Sequence, residues 1–149
     1  MRREVQPDLP RMIRIVVDGA PVAKGRGRVG RMGNGAVRVF TPAKTRTYED
    51  VLRYAAGQAM QGRDPFDQAL AVDVVAYLPV PASFSRKKRE AALEGTLLPT
   101  KRPDGDNYLK AALDGCNGVV WRDDSIIVDM SVQKRYATKP QLVIEVNAI

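Results

Sequence analysis

The chain has 149 residues, of which 44% are hydrophobic and 28% charged, and its formal net charge is +7. This length and composition predict one globular domain and exclude a disordered chain. The absence of histidine excludes imidazole chemistry, and the single cysteine excludes an intramolecular disulfide. No apolar segment is long enough to cross a bilayer and no signal peptide is recognisable, so we expect a cytoplasmic protein. The positive charge indicates a polyanionic partner, most simply nucleic acid.

Hydrophobic periodicity and the positions of Gly and Pro divide the chain into strands and helices. The first part of the chain predicts a strand at residues 12–19, a basic glycine-rich loop or hairpin at 19–40 that ends in a strand at 36–40, and a helix from 42 to about 60. A strand at 70–78 and a helix at 83–95, capped by Ser83 or Ser85, follow. The last third predicts a helix with Asp106 as its N-cap and strands at 126–132 and 139–148. Residues 1–11 are predicted to form a disordered tail. The element order predicts a single α+β domain at residues 1–149, with a mixed, mostly antiparallel sheet of four or five strands and two or three helices.

Specific side chains are predicted to face the core. Alternation places Ile13, Ile15 and Val17 on one face of the first strand, and Leu70, Val72, Val74, Ala76 and Leu78 on one face of the strand at 70–78. In the helix at 42–60 the apolar stripe consists of Tyr48, Val51, Leu52, Ala55, Ala59 and Met60. In the strand at 126–132, alternation places Ile126, Val128, Met130 and Val132 on one face, against Ile127 and Asp129 on the other. Cys116 is predicted to be a buried, inert thiol, and Trp121 an anchor in the core or in a turn.

The segment from Gly19 to Tyr48 contains seven lysines and arginines and no acidic residue. Its dense glycines are typical of a flexible loop. We interpret it as an arm that lies along phosphates, although a solvated basic loop remains an alternative. The candidate phosphate contacts are Lys24, Arg26, Arg28 and Arg31, joined further along the chain by Lys101 and Arg102.

Two pairs of aspartates indicate a metal site. In RPDGDNYLKAALD, residues 102–114, helix capping accounts for Asp106 but not for Asp104, whose charge repels that of Asp106 unless a cation offsets it. Asp123 and Asp124 follow the helix and precede a strand. If the helix start and the strand start lie close together, Asp104, Asp106 and one of this second pair form a nest of three carboxylates. Such a site suits Mg²⁺ or Mn²⁺ and phosphodiester hydrolysis, whereas a surface helix cap remains the alternative.

Lys110 lies four residues after Asp106, so on a helix the two side chains share a face. Its charge can stabilise the negative charge that builds up on a reacting phosphate or help to orient the attacking water. The alternative is a surface ion pair with Asp106 or Asp114.

The combination Asp104-x-Asp106-Asn107, Lys110, Asp114 and Trp121-x-Asp123-Asp124 resembles the RusA family of Holliday junction resolvases. The resemblance covers residues 100 to 135 well and the N-terminal third only in outline. It implies that Asp104, Asp106 and Asp124 bind Mg²⁺, with Mn²⁺ as a possible substitute, and that Lys110 assists catalysis. It also implies a homodimer of bacterial or phage origin that binds four-way DNA junctions and nicks two strands symmetrically, in recombination and repair.

Other functions stay open at this point. A nuclease of the same chemistry can act on flaps, other branched DNA or duplex. A non-catalytic basic nucleic-acid-binding protein would use its acidic cluster only to cap a helix. A ribosomal or RNA-binding protein has only the charge in its favour.

Overall fold

The computed structural model describes residues 12–25, 28–31, 37–40 and 43–149. The tail predicted at residues 1–11 lies outside them. The elements are β1 Met12–Asp18, β2 Arg28–Arg31, β3 Val37–Phe40, α1 Ala43–Met60, β4 Leu70–Pro79, α2 Arg86–Glu94, α3 Gly105–Cys116, β5 Ile127–Ala137 and β6 Gln141–Ala148. A single 3₁₀ turn at Asp124–Ile126 precedes β5. The fold is α+β, as the element order predicts, and none of the helices in these ranges is long and apolar enough to span a membrane.

The main sheet has four strands in the order β1-β6-β4-β5. β6 pairs antiparallel with both β1 and β4, whereas β4 and β5 run parallel. The sheet is therefore mixed and mostly antiparallel, as predicted. β2 and β3 form a separate antiparallel hairpin in which Arg28 lies opposite Phe40. β5 is an edge strand, because β4 is its only partner among the described strands.

One face of the main sheet carries the core, and α1 and α3 pack on it. β1 buries Ile13, Ile15 and Val17, and β4 buries every second residue from Leu70 to Ala76, which confirms both predicted alternations; Leu78 is partly buried and packs on the same core. The two helices approach closely at Gly115 of α3. A Cβ atom added there would lie 2.6 Å from Cδ2 of Leu52, so only glycine fits this contact without a shift.

Two of the predicted apolar faces are partly wrong. On α1, Val51 is 49% exposed, and Ala56, which is not part of the predicted stripe, is fully buried. On β5, Val128 is 65% and Met130 45% exposed, whereas Ile127 is buried. The pairing with β4 shifts register here: Ile127 pairs with Leu70, Asp129 pairs with Ala71, and no residue of β4 is paired with Val128. The unpaired Val128 brings Ile127 to the core face, which alternation alone does not reveal. Met130 pairs with the buried Val72, so it lies on the core face as predicted, and its exposure reflects the edge position of β5 among the described strands.

The ends of α2 follow the sequence signals. The hydroxyl of Ser85 accepts a hydrogen bond from the backbone N–H of Lys88 at 3.2 Å, so Ser85 rather than Ser83 is the N-cap. Gly95 ends the helix with a φ of 85°, the left-handed conformation that favours glycine. The ring of Phe84, just before α2, packs edge-on against Tyr136 of β5 with centroids 5.7 Å apart.

Candidate active site

The start of α3 holds the first pair of predicted metal ligands. The helix begins at Gly105, so Asp104 occupies the N-cap position and Asp106 lies in the first turn. The prediction that Asp106 is the N-cap is therefore wrong. The helix starts earlier because the backbone N–H of Asn107 donates to the carbonyl of Asp104 at 3.1 Å. The side chain of Asp104 makes no capping hydrogen bond, so capping explains neither carboxylate.

Both carboxylates are exposed, and neither forms an ion pair or a hydrogen bond with the residues in the described ranges. The helix dipole favours negative charge at this end, by about 0.3–1 kcal/mol for each exposed carboxylate. It does not remove the repulsion between the two groups. Asp104 and Asp106 are therefore available to bind a cation.

β5 fixes the position of the helix start. A Cβ atom added to Gly105 would lie 3.6 Å from Cγ1 of Val132, so the first turn packs directly on this strand. Two residues further along β5, Nζ of Lys134 donates to the carbonyls of Lys101 at 2.8 Å and Pro103 at 2.9 Å. Sequence reasoning assigned Lys134 no role, because main-chain acceptors leave no signal in a residue pattern.

A cleft of about 330 Å³ opens at the helix start, lined by Lys24, Arg102, Pro103, Asp104 and Asn107. Its volume falls at the lower end of the range for small-ligand sites, about 300–1,000 Å³. Positive and negative side chains share its wall, which suits a phosphate together with a cation.

Asp123 and Asp124 make different local contacts. Asp123 is exposed, and hydrogen bonds from the hydroxyl of Ser125 and then from its backbone N–H, the latter at 3.0 Å, lower the pKa of Asp123. Asp124 accepts a hydrogen bond at 2.7 Å from Nε1 of Trp121. Trp121 is fully buried, which confirms its predicted role as a core anchor. This contact holds Asp124 in a fixed orientation and leaves its second carboxylate oxygen without a partner among the hydrogen bonds of the described chain.

Asp124 lies near the opposite end of α3 from Asp106. Burial raises the pKa of the Cys116 thiol to about 12, with the charge of Arg53 opposing this and that of Asp124 adding to it. Cys116 ends α3, ten residues after Asp106. At a rise of about 1.5 Å per residue, these two positions are ~15 Å apart along the helix axis. Asp124 also precedes Ile127, the first residue of β5, whereas the helix start packs on Val132, five residues or ~16 Å further along that strand. Asp124 is therefore remote from the first pair of carboxylates.

The expected nest of three carboxylates is thus not formed within one chain. No three Asp, Glu, His or Cys side chains of the described ranges are arranged to hold a metal ion. The expectation that the start of the strand lies beside the start of the helix is wrong, because β5 places Val132 and Lys134 there instead. Asp104 and Asp106 share one end of α3, while Asp124 lies near the other.

Lys110 is exposed on α3, one turn after Asp106. Neither of the surface ion pairs considered for it is formed, and its ammonium has no carboxylate partner in the part of the chain that is described. Asp114 pairs with Lys24 instead. Lys110 is therefore a free positive charge near the start of α3.

The predicted phosphate contacts have unequal surroundings. Lys101 and Arg102 are exposed beside the cleft. Arg28 and Arg31 begin and end β2, with their side chains outside the described part, and Arg26 lies outside it altogether. Lys24 differs from the others: its ammonium contacts Asp114 and lies 3.2 Å from Oε1 of Glu49.

Comparison with known proteins places this geometry in a family. The sequence profile of the family described as "Endodeoxyribonuclease RusA" matches residues 18–147, from the end of β1 almost to the end of β6. The chain belongs to the RusA family. A relative from Bacillus subtilis (strain 168), "Uncharacterized protein YqaN", is 38% identical over 141 residues, which cover 92% of this chain and 96% of the relative. The resemblance seen in the aspartate motifs is thereby confirmed, and membership of the RusA family implies a junction-resolving endonuclease activity.

RusA-family nucleases generally depend on a divalent metal, and the donors at the start of α3 fit one. Asp104 and Asp106 supply hard carboxylate oxygens that form no hydrogen bond or ion pair with residues in the described ranges. Mg²⁺ keeps several of its water ligands and is usually bound by one or two carboxylates together with substrate phosphates. A pair of free carboxylates beside a cleft lined by cations meets this requirement better than it would meet that of zinc.

Proposed function

We propose that this protein is a Mg²⁺-dependent, structure-selective endodeoxyribonuclease that resolves Holliday junctions by paired nicks during DNA recombination and repair. It would act in the cytoplasm of a bacterium, encoded by the cell or by a phage. The observation that carries the proposal is the pair of carboxylates at the start of α3, exposed and without a partner in the described chain, in a RusA-family protein with a net charge of +7.

Each residue near the helix start has a proposed role. Asp104 and Asp106 would hold the metal, and a metal bound there would supply Lewis-acid activation of a phosphoryl oxygen and of a water molecule. Lys110 donates to a phosphate oxygen on which negative charge builds up. Lys101 and Arg102 hold the flanking phosphates at the cleft. Arg26, Arg28 and Arg31, whose side chains are outside the described part of the chain, would be further phosphate contacts and would add to the salt dependence of binding.

We assign the third carboxylate to a second copy of the chain. β5 has a free outer edge among the described strands, and its exposed Val128 and Met130 lie near the start of the strand. If two copies pair antiparallel along this edge, about a two-fold axis between residues 129 and 130, residue 124 of one chain lies opposite residue 135 of the other. The partner's Asp124 then approaches Lys134. Because Lys134 donates to the carbonyls of Lys101 and Pro103, just before α3, the partner's Asp124 also approaches the start of this helix.

This arrangement supports the homodimer on physical grounds. Burying Val128 and Met130 removes exposed apolar side chains from water and closes a sheet edge that would otherwise invite uncontrolled pairing. An isologous dimer also offers two equivalent sites, as two equivalent strands of a four-way junction require. Each site would combine Asp104 and Asp106 of one chain with Asp124 of the other.

The test is cleavage of a labelled four-way junction beside a linear duplex of the same sequence, with Mg²⁺ and with EDTA. The variant is Asp106→Asn, and its matched control is Asp64→Asn, an exposed aspartate after the end of α1. We expect paired nicks on the junction alone, lost in EDTA and in Asp106→Asn and retained in Asp64→Asn. Binding without nicks under any metal would instead indicate a non-catalytic binding protein, and equal cleavage of the duplex would indicate a different nuclease.

A further inference from the structure

Lys24 is clamped between two helices. It lies in the segment at residues 21–25, which connects β1 to β2. Its ammonium contacts the carboxylate of Asp114 on α3 and lies 3.2 Å from Oε1 of Glu49 on α1. The side chains of Lys24, Glu49 and Asp114 are 25%, 20% and 31% exposed, so all three are largely removed from water. Burial lowers the pKa of Lys24, but the hydrogen bonds and charges of Asp114 and Glu49 outweigh it and raise the pKa, which keeps the group positive.

The main chain of Lys24 is fixed to the helix start as well. Its backbone N–H donates to the carbonyl of Asn107, in the first turn of α3, at 3.0 Å. Just before it, Pro21 is buried and Ala23 packs against the core. The segment is thus attached to α3 at two points, one at the first turn and one at Asp114. Lys24 also lines the cleft beside Asp104.

The charges around Lys24 do not favour a phosphate. Two carboxylates face one ammonium, so the local charge is negative, and a phosphate placed there would meet Glu49 and Asp114. β2 begins four residues after Lys24. At about 3.3–3.6 Å per residue, the first residue of the hairpin lies within ~14 Å of this anchor. An anchor at residue 24 therefore limits how far the start of the hairpin can move from the cleft.

We infer that Lys24 is a positioning residue and not a phosphate contact. Its ion pairs with Glu49 and Asp114 hold the start of the β2–β3 hairpin against α3, so that the arginines of the hairpin meet the DNA in a fixed relation to Asp104 and Asp106. The predicted effect on cleavage rests on the proposed function. The docking of residues 21–25 on α3 does not depend on DNA.

The test compares Lys24→Met with a double variant, Lys24→Asp with Asp114→Lys, which keeps one ammonium between two carboxylates. Arg102→Gln is the comparison for a true phosphate contact. Three quantities are measured: hydrogen exchange of the Lys24 backbone amide, the salt dependence of junction binding, and the cleavage rate. We expect Lys24→Met to raise amide exchange by about tenfold and to lower cleavage by about tenfold, because the arm is no longer docked.

The salt dependence separates positioning from contact. Loss of one phosphate contact reduces the slope of log K against log salt by about 0.9, as we expect for Arg102→Gln, whereas Lys24→Met should retain the wild-type slope. The double variant should recover amide protection and cleavage. A reduced slope in Lys24→Met, unchanged amide exchange, or failure of the double variant to recover would each overturn the inference. If the wild-type protein does not cleave a junction, the proposed function fails, and amide exchange alone then decides whether Lys24 docks the segment.

Discussion

A site divided between two chains makes a sharp prediction for mixed subunits. Asp106→Asn and Asp124→Asn should each abolish cleavage, since every site in either homodimer lacks one ligand. Mixing the two inactive proteins should restore activity. In a heterodimer, one site carries both substitutions, and the other combines the unaltered Asp104 and Asp106 of one chain with the unaltered Asp124 of its partner. Asn at position 124 retains the acceptor that Nε1 of Trp121 uses, so the local structure should persist.

The size of the recovery follows from the separation of the two groups of carboxylates. Asp106 lies at the start of α3, which packs on Val132, whereas Asp124 precedes Ile127, ~16 Å away along β5, too far for both to bind one ion from the same chain. Free exchange of subunits makes half of the dimers mixed, and each mixed dimer has one intact site of two. The mixture should therefore nick DNA at about one quarter of the wild-type rate per subunit.

The assay uses a supercoiled plasmid that extrudes a cruciform. Wild-type protein should convert it to linear DNA by paired nicks, whereas the mixture should give mainly nicked circles, because each active dimer cuts one strand. A mixture of Asp104→Asn with Asp106→Asn is the control, and it should stay inactive because both residues belong to the same site. An inactive mixture of Asp106→Asn with Asp124→Asn would refute the divided site, as would full activity of Asp124→Asn alone.

Two further predictions concern the core. Gly115→Ala should lower the free energy of unfolding by about 1–3 kcal/mol in urea denaturation, because its Cβ would lie 2.6 Å from Leu52. The control Gly57→Ala on α1, where a Cβ meets nothing within 4 Å, should be neutral or stabilise the fold by up to ~1 kcal/mol. Equal effects of the two substitutions would contradict the close helix contact. Cys116 should not react with a thiol reagent at pH 8 in the native protein but should react fully in urea, because the thiol is buried and its pKa is raised to about 12. The neutral thiol stabilises the fold below the unfolded pKa of 9.0, and this contribution is lost as the pH rises toward 12. Rapid labelling of the native protein at pH 8 would contradict the prediction, because it would show that the site opens.

Local patterns predicted the elements well where one physical cause dominates. Strict alternation identified the buried faces of β1 and β4, because side chains of a strand point to opposite sides in turn. The start of α3 was misplaced because Asp104 and Asp106 are equally good N-cap residues, and the sequence offers no basis for choosing between them. On β5, alternation does not predict the exposure of Val128 or the burial of Ile127, because the register shift beside Val128 depends on the partner strand.

The site was predicted only as far as local spacing reaches. Asp104, Asp106 and Lys110 lie within seven residues, so helix geometry alone brings them to one end of α3. The position of Asp124 depends on which part of β5 packs on that end, and this is a property of the tertiary fold. Spacing therefore identified the first pair of carboxylates and left the third without a location.

Charge counting fails for Lys24 for the same reason. The segment around it contains no acidic residue, which suggested that its cations face DNA, yet Glu49 and Asp114 reach Lys24 from 25 and 90 residues further along the chain. An individual cation is available to phosphate only if the fold brings no carboxylate to it. Of the cations that the sequence assigns to the site, Lys101, Arg102 and Lys110 meet this condition among the described residues, and they lie on α3 or the loop before it. The phosphate path should therefore run along that loop and across the exposed carboxylates, with Lys24 beneath it as an anchor.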